Sequence, residues 1–186
     1  MNNDTDTARL RKLDQDQDHH LHPFTNLSKH SQQGGRTISP AEHIYIYDSD
    51  GNKMLDGMSA LQVLQRYPCC ASANIIKSAA DDIAPYFQQH LQTLKNHPIV
   101  GEVHGIGMLG AVELVRDKHS RERLAPDAAG AVYCRDRANA TGLMVRQSGD
   151  TMITAPPLIC NHSEIDSLVN MLSKTLDQTA EHFNIR

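Results

Sequence analysis

The stretch IVGEVHGIGMLGAVELV, residues 99–115, decides the fold of this chain. It interleaves apolar, often β-branched residues with the glycines Gly101, Gly105, Gly107 and Gly110. β-Branched residues favour strands, and closely spaced glycines favour tight turns. The stretch therefore predicts two short strands with a glycine turn between them. A phosphate-binding loop is a weaker interpretation because the lysine and the following helix of a P-loop are missing.

On the C-terminal side, helix and strand signals alternate. AAGAVYCRDRANATG, residues 128–142, has helical composition, and Gly142 suits the position just after a helix. LMVRQSGDTMITAPPLI, residues 143–159, predicts two strands around a Gly149-Asp150 turn. From the second strand of residues 99–115 onward, the predicted order of elements is therefore strand, helix, strand, strand.

A final helix is predicted from Ser163 to Phe183. Ser163 is a good N-cap residue, and Asp166 three positions on makes the start resemble a capping box with Asp in place of Glu or Gln. Apolar residues recur at helical spacing and predict one buried face. They are Ile165, Leu168, Val169, Leu172 and Leu176.

On the N-terminal side, HIYIYDSDGNKMLDG, residues 43–57, alternates Ile with Tyr and then turns at Asp50-Gly51-Asn52, which predicts a β-hairpin over 42–57. Residues 71–96 have helical spacing, with Pro85 starting a second helix. Residues 1–41 are expected to form an arm and an extended, irregular loop. The predicted domain layout is this arm followed by one unit over 42–186.

Composition excludes several classes of protein. The 186 residues contain 22 acidic and 18 basic side chains, for a net charge of -4, so no broad positive field exists to hold nucleic acid or an anionic membrane. The acidic N-terminus predicts no signal peptide, and no apolar run is long enough for a membrane span, so a cytoplasmic location is expected.

The cysteines and histidines do not predict a metal site. Cys69 and Cys70 are neighbours and Cys134 and Cys160 stand alone, a spacing that favours reduced thiols. The cluster His19, His20 and His22 has imidazoles that bind zinc, nickel or copper, but no acidic or cysteine ligand accompanies it at a fixed distance. No metal is expected.

Several strings, taken in order, resemble class III pyridoxal-phosphate (PLP) aminotransferases of the ω-amino acid:pyruvate and diamine branch. At the start these are HHLHPFTN (19–26) and GRTISPAEHIYIYDSDGNKMLDGMSAL (35–61). At the end they are HPIVGEVHGIGMLGAVELVRDK (97–118) and CRDRANATGLMVRQSGDTMITAPPL (134–158). The first pair looks like the family's substrate-site arm and hairpin, and the second like its C-terminal small domain.

The departure from the family lies between these strings. YPCCASANII (67–76) resembles the segment that leaves the family's cofactor domain, which places a junction at 62–67. The resemblance therefore implies that the large PLP domain is absent, with its phosphate loop, its pyridine-nitrogen aspartate and its Schiff-base lysine. PLP acts as an electron sink only with such a lysine and acidic partner. No cofactor and no catalytic residue are expected in this chain.

The resemblance also implies substrate-binding positions. Arg146 falls where the family's arginine clamps a substrate carboxylate, a role that suits its planar, bidentate fork. Phe24 and Leu61 match residues that line the substrate pocket. The alternative for Arg146 is a solvated strand-end arginine, and for Phe24 and Leu61 it is simple packing.

The expected fold is α+β, with a small mixed or antiparallel sheet and helices on one face, like the family's C-terminal small domain plus the N-terminal hairpin. Without a cofactor domain an apolar face should be exposed, which predicts a homo-oligomer or a complex with a full-length aminotransferase subunit.

Three functions remain open from the sequence. The chain is a non-catalytic remnant, or a binding module for small carboxylates or a related subunit, or a transaminase that is active only with a partner chain that supplies the PLP domain. Whether it is an enzyme is left undecided.

Overall fold

The structure is a computed structural model, and it describes residues 38–48, 50–58 and 73–185. By its contacts the chain divides into two compact units, up to Lys53 and from Met54 onward, and each is described by itself.

The first unit contains a strand that the sequence did not predict. β1 (Ile38–Glu42) pairs antiparallel with β2 (Tyr45–Asp48), although its residues up to 41 were expected to be irregular. Pro40 lies at a register irregularity between Ile38 and Ala41. Proline has no N–H to donate, so strands tolerate it at edges and bulges.

The predicted turn of the hairpin is present and is held by one side chain. The buried Asp48 carboxylate accepts bonds from the backbone N–H of Asp50 (3.0 Å) and of Asn52 (2.8 Å). Gly51 takes the left-handed conformation at φ 84°, which costs glycine little. The chain then enters β3 (Lys53–Asp56).

The second unit contains the other strands and all the described helices. The strands are β4 (Val100–Ile106), β5 (Leu109–Asp117), β6 (Glu122–Arg123), β7 (Leu143–Met144), β8 (Arg146–Ser148) and β9 (Thr151–Thr154). The α-helices are α1 (Ala73–Ser78), α2 (Ala84–Gln92), α3 (Ala129–Ala140) and α4 (His162–His182). Short 3₁₀ turns lie at Thr93–Asn96 and Pro126–Ala128.

The strands of this unit belong to two sheets. β3 pairs parallel with β7 through Leu55 and Leu143, whereas β4, β5, β9 and β8 form an antiparallel sheet in that order, with β6 on β5. Gly57 links the two, because its N–H donates to Met144 O and its carbonyl accepts from Ala155 N. The predicted α+β class is confirmed, and the β4–β5 hairpin turns at Gly107 as expected.

The prediction that Pro85 starts a second helix is confirmed, and a π-helical turn precedes that helix. Residues Ala79–Ile83 form that turn and join α1 to α2 without interruption, while Pro85 lies in the first turn of α2. The wider turn lets Ala84 N bond Ala79 O. It thereby accommodates a residue that has no N–H and whose ring crowds the preceding turn.

The last helix begins one residue earlier than predicted, and its cap is different. Asn161, not Ser163, is the N-cap: its side chain accepts from Glu164 N (3.1 Å), and Glu164 Oε2 accepts from Asn161 N (2.9 Å). This is a complete capping box, which satisfies two backbone donors at once. The predicted apolar stripe of this helix is buried throughout.

α4 is the longest described helix, and its other face is polar. Across the parts of the chain that the structure describes, no helix combines the length and the apolar character needed to span a bilayer.

Candidate functional site

The antiparallel sheet has two different faces. Directly opposed residues of adjacent antiparallel strands project to the same side. One such row is Val103, Val112, Met152 and Gln147, and its three apolar members are buried. On this side a Cβ on Gly110 would touch α2, and Arg135 of α3 contacts Gln147. This is the helix-covered face.

The opposite face, called here the open face, carries the row His104, Ala111, Ile153 and Arg146. His104 and Arg146 are exposed, and Ala111 and Ile153 are partly buried. Arg146 begins β8 and is directly opposite Ile153 of β9. The structure thus places the predicted carboxylate-binding arginine at the end of a cross-strand row, away from the helices.

The β8–β9 hairpin is tied at several points. Gln147 Oε1 accepts from Arg135 Nη1 (3.4 Å), and Gln147 Nε2 donates to Gly149 O (2.9 Å). At the turn, Arg123 Nε donates to Asp150 Oδ2 (2.5 Å), and Asp150 O accepts from Leu114 N. Asp150 Oδ1 is buried and has no hydrogen-bond partner among the described residues. These contacts fix the strand that carries Arg146.

The other two predicted substrate-binding residues cannot be compared with this geometry. Phe24 and Leu61 lie outside the described residues, as do His19, His20, His22, the junction at 62–67, Cys69 and Cys70.

The open face also carries acidic groups that were not singled out from the sequence. Glu102 and Glu113 are directly opposite each other on β4 and β5, and like charges in that position repel. Arg121 Nη2 lies 3.2 Å from Glu102 Oε2, and His104 Nε2 lies 4.0 Å from Glu113 Oε1. Cross-strand register is needed to see this arrangement, because the two glutamates are eleven positions apart in the printed sequence.

A second feature is an apolar cavity of about 350 Å³ at the β4–β5 turn. Its lining includes Ile76, Ala80, Ile106, Met108, Leu109 and Leu158. Three of these are large apolar side chains with high exposure: Ile106 is 81% exposed, Ile76 46% and Leu109 39%. Neighbouring exposed apolar side chains of this kind mark interaction surfaces.

A third feature links α2 to the start of α4. The Tyr86 ring stacks on His90 (4.1 Å between centroids) and lies 4.2 Å from His162. Tyr86 Oη donates to Asp166 Oδ1 (2.8 Å), and this bond to a carboxylate raises the pKa of Tyr86. The sequence showed no sign of the cluster, because its parts come from two helices about eighty positions apart.

No metal site is visible in what the structure describes. Within residues 38–48, 50–58 and 73–185 there is no group of three or more His, Cys, Asp or Glu side chains that could hold a metal ion. Cys134 and Cys160 are buried and free. Burial raises the pKa of Cys134 to about 11 and that of Cys160 to about 12, the latter with help from Glu164 and Asp56.

The lysines of the described ranges do not fit a Schiff-base role. All five, Lys53, Lys77, Lys95, Lys118 and Lys174, are exposed. Lys77 pairs with Asp81, and Lys118 Nζ donates to Lys95 O. An aldimine-forming lysine must be available as a free amine, which usually requires burial or cationic neighbours. None of these five has such surroundings.

Comparison with known proteins identifies the family. The class III aminotransferase family model matches residues 69–176, and the chain belongs to that family. The matched range contains α1 to α3, the antiparallel sheet and most of α4.

Individual relatives agree with the family. The chain is 41% identical over 123 residues to putrescine–pyruvate aminotransferase of Pseudomonas aeruginosa, a match that covers 66% of this chain and 27% of that protein. It is 31% identical over 97 residues to the mitochondrial gamma aminobutyrate transaminase 1 of Solanum lycopersicum, covering 52% of this chain and 19% of that protein. These matches therefore span only about a fifth to a quarter of the length of these relatives.

Solved structures give the same result. The crystal structure of an ω-transaminase from Pseudomonas jessenii in complex with PMP matches with a TM-score of 0.56 and 32% identity. That match covers 60% of this chain and 24% of the other.

Proposed function

We propose that this chain is the carboxylate-recognising small-domain part of a class III aminotransferase and that it is not catalytic by itself. The parent reaction in this proposal transfers an amino group from an amine or ω-amino acid to pyruvate or another keto acid. One observation carries the recognition part: Arg146 lies exposed at the edge of the open face, on a strand fixed by the Gln147 and Asp150 contacts.

The chemistry of Arg146 supports a carboxylate ligand. A guanidinium presents donors in a planar fork that matches both oxygens of a carboxylate. Its neighbours on the open face include the partly buried Ile153, so one side of the ligand would be apolar. The exposed position leaves the arginine accessible to a small molecule.

The non-catalytic part is supported by the lysines and by the order of the family-like strings. The five described lysines do not fit a PLP aldimine, and Lys12 and Lys29 lie outside the described residues. The strings that resemble the two ends of a full-length enzyme are separated only by the stretch 62–66. We infer a remnant from which the cofactor domain has been removed.

The first test is ligand-induced stabilisation. A ligand that binds only the folded state raises the unfolding free energy by about 2.7 kcal/mol at 100 times its dissociation constant. Pyruvate is expected to raise the melting temperature of the wild-type chain, and Arg146→Ala is expected to abolish the shift. Arg121→Ala, which removes another exposed arginine, serves as the control and should keep it. An equal shift in Arg146→Ala would refute the role of Arg146.

The second test addresses the cofactor. After incubation with PLP and borohydride reduction, mass spectrometry is expected to show only scattered, substoichiometric lysine adducts. A stoichiometric adduct at one lysine would overturn the non-catalytic assignment.

A partner subunit is the second candidate function, and the exposed Ile76, Ile106 and Leu109 support it. We infer either a homo-oligomer or a complex with a full-length aminotransferase. Sedimentation should show association that rises with concentration, or a complex when the full-length subunit is added. If mixing also produces a cofactor absorbance band and a trappable lysine, the chain is part of an active transaminase. A well-behaved monomer in every mixture contradicts this second candidate.

A further inference from the structure

The position of Arg146 singles out one neighbouring side chain. Arg146 and Ile153 are Cα partners across the β8–β9 ladder, so their side chains lie next to each other on the open face. Gln147 and Met152, one position along, are also partners but face the helices. Ile153 is therefore the cross-strand neighbour of the arginine on the face that a ligand can reach.

Beyond Ile153, the next residue of the row is Ala111 on β5, which is small and uncharged. His104 follows only after it, on β4. Adjacent strands are about 4.8 Å apart, so His104 is roughly 14 Å from Arg146 across the row. A small ligand whose carboxylate is held by Arg146 thus meets the Ile153 methyl groups before any charged group of this row.

We propose that Ile153 determines which carboxylates are accepted, favouring monocarboxylates with an uncharged, apolar substituent over dicarboxylates. This inference rests on the proposed binding of carboxylates by Arg146. An apolar substituent increases the binding affinity when it covers the Ile153 side chain, because burying a methylene is favourable. A second carboxylate placed over Ile153 loses water and receives no hydrogen bond from the isoleucine side chain, which is unfavourable. Neither effect requires a change at Arg146.

The test compares dissociation constants of the full chain for pyruvate, 2-oxobutyrate and 2-oxoglutarate, measured by NMR titration at fixed ionic strength. Ile153→Lys offers a second cation, and exposed ion pairs of this kind change affinity by about twofold to fivefold. The affinity for 2-oxoglutarate relative to pyruvate is expected to rise by that factor. Ile153→Ala is expected to remove most of the advantage of 2-oxobutyrate over pyruvate.

Thr151→Lys is the matched control, because Thr151 lies on the same face of β9, two positions away, opposite Ser148. It adds the same charge but should change the affinity for 2-oxoglutarate relative to pyruvate less than Ile153→Lys does. Equal ratios in the two lysine variants, or an unchanged ratio in Ile153→Lys, would overturn the role of Ile153 while Arg146-dependent binding still stood. Binding that is absent in wild type, or that survives Arg146→Ala, overturns the proposed function and this inference together.

Discussion

Gly110 of β5 and Leu91 of α2 approach so closely that a Cβ atom on Gly110 would lie 2.4 Å from Leu91 Cδ2. The same atom would lie 2.9 Å from Phe87 Cζ, and both side chains are fully buried. The sheet and α2 therefore meet at a position where only glycine fits without movement.

Gly110→Ala is expected to destabilise the chain by about 2 kcal/mol, because an overpacked core must shift its side chains or backbone. Urea unfolding with an unchanged m-value measures the loss. Ala111→Val adds bulk to the open face of the same strand and should cost much less. Equal costs for both variants would show that the close approach is not the cause.

Asn161→Ala is expected to cost about 1 kcal/mol of unfolding free energy, because it leaves Glu164 N without its side-chain acceptor at the start of α4. Ser163→Ala tests the residue that the sequence favoured. Its hydroxyl only donates to Asn161 Oδ1, so its removal should cost a few tenths of a kcal/mol. A larger loss in Ser163→Ala than in Asn161→Ala would reverse the cap assignment. Thermal or urea unfolding of the two variants makes the comparison.

The capping box shows what local sequence can and cannot reveal. Asn161 and Glu164 have the box spacing, so the sequence contained the correct signal alongside the weaker one at Ser163 and Asp166. The apolar stripe of α4 was predictable because helical periodicity is local. The choice between two caps two residues apart depends on where the preceding chain leaves the sheet, and that is tertiary information.

The strands likewise divide into features that the local sequence could predict and features that it could not. The glycine turn between β4 and β5 and the hairpin around Gly149 were predictable from turn residues. β1 was missed because Pro40 weakens a strand signal, and the pairing of β7 with β3 joins residues almost ninety positions apart. Arg146 was singled out by family resemblance, but its neighbour Ile153 follows only from the observed register.

The buried thiols predict a loss of stability at alkaline pH. Burial raises the pKa of Cys134 and Cys160 from 9.0 to about 11 and about 12. Because the pKa is higher in the folded state, the contribution of each thiol to the unfolding free energy is fully present below the pKa of the unfolded thiol. Above that pH the unfolded thiol ionises first, and the contribution decreases. The unfolding free energy should therefore fall from about pH 9 upward, by at most about 1.4 kcal/mol per pH unit for each thiol.

Urea unfolding between pH 8 and 10.5 measures this slope. The double variant Cys134→Ala, Cys160→Ala should show a shallower decline, with Cys69 and Cys70 retained in both proteins. An identical slope would assign the alkaline loss to other groups.

Thr154 is expected to stabilise the link between the Gly57 segment and the antiparallel sheet. Its buried Oγ1 donates to Gly57 O at 3.0 Å, and Ala155 N donates to the same carbonyl at 2.5 Å. Thr154→Val keeps the shape but removes one donor, and the expected loss is about 1 kcal/mol. Hydrogen exchange at the Ala155 amide should accelerate, because the remaining bond then holds the carbonyl alone. Thr151→Val makes the same chemical change on the open face and is the control. It should leave both the unfolding free energy and this exchange rate nearly unchanged. Matching effects in the two variants would mean that the hydroxyl of Thr154 is not the group that stabilises the link.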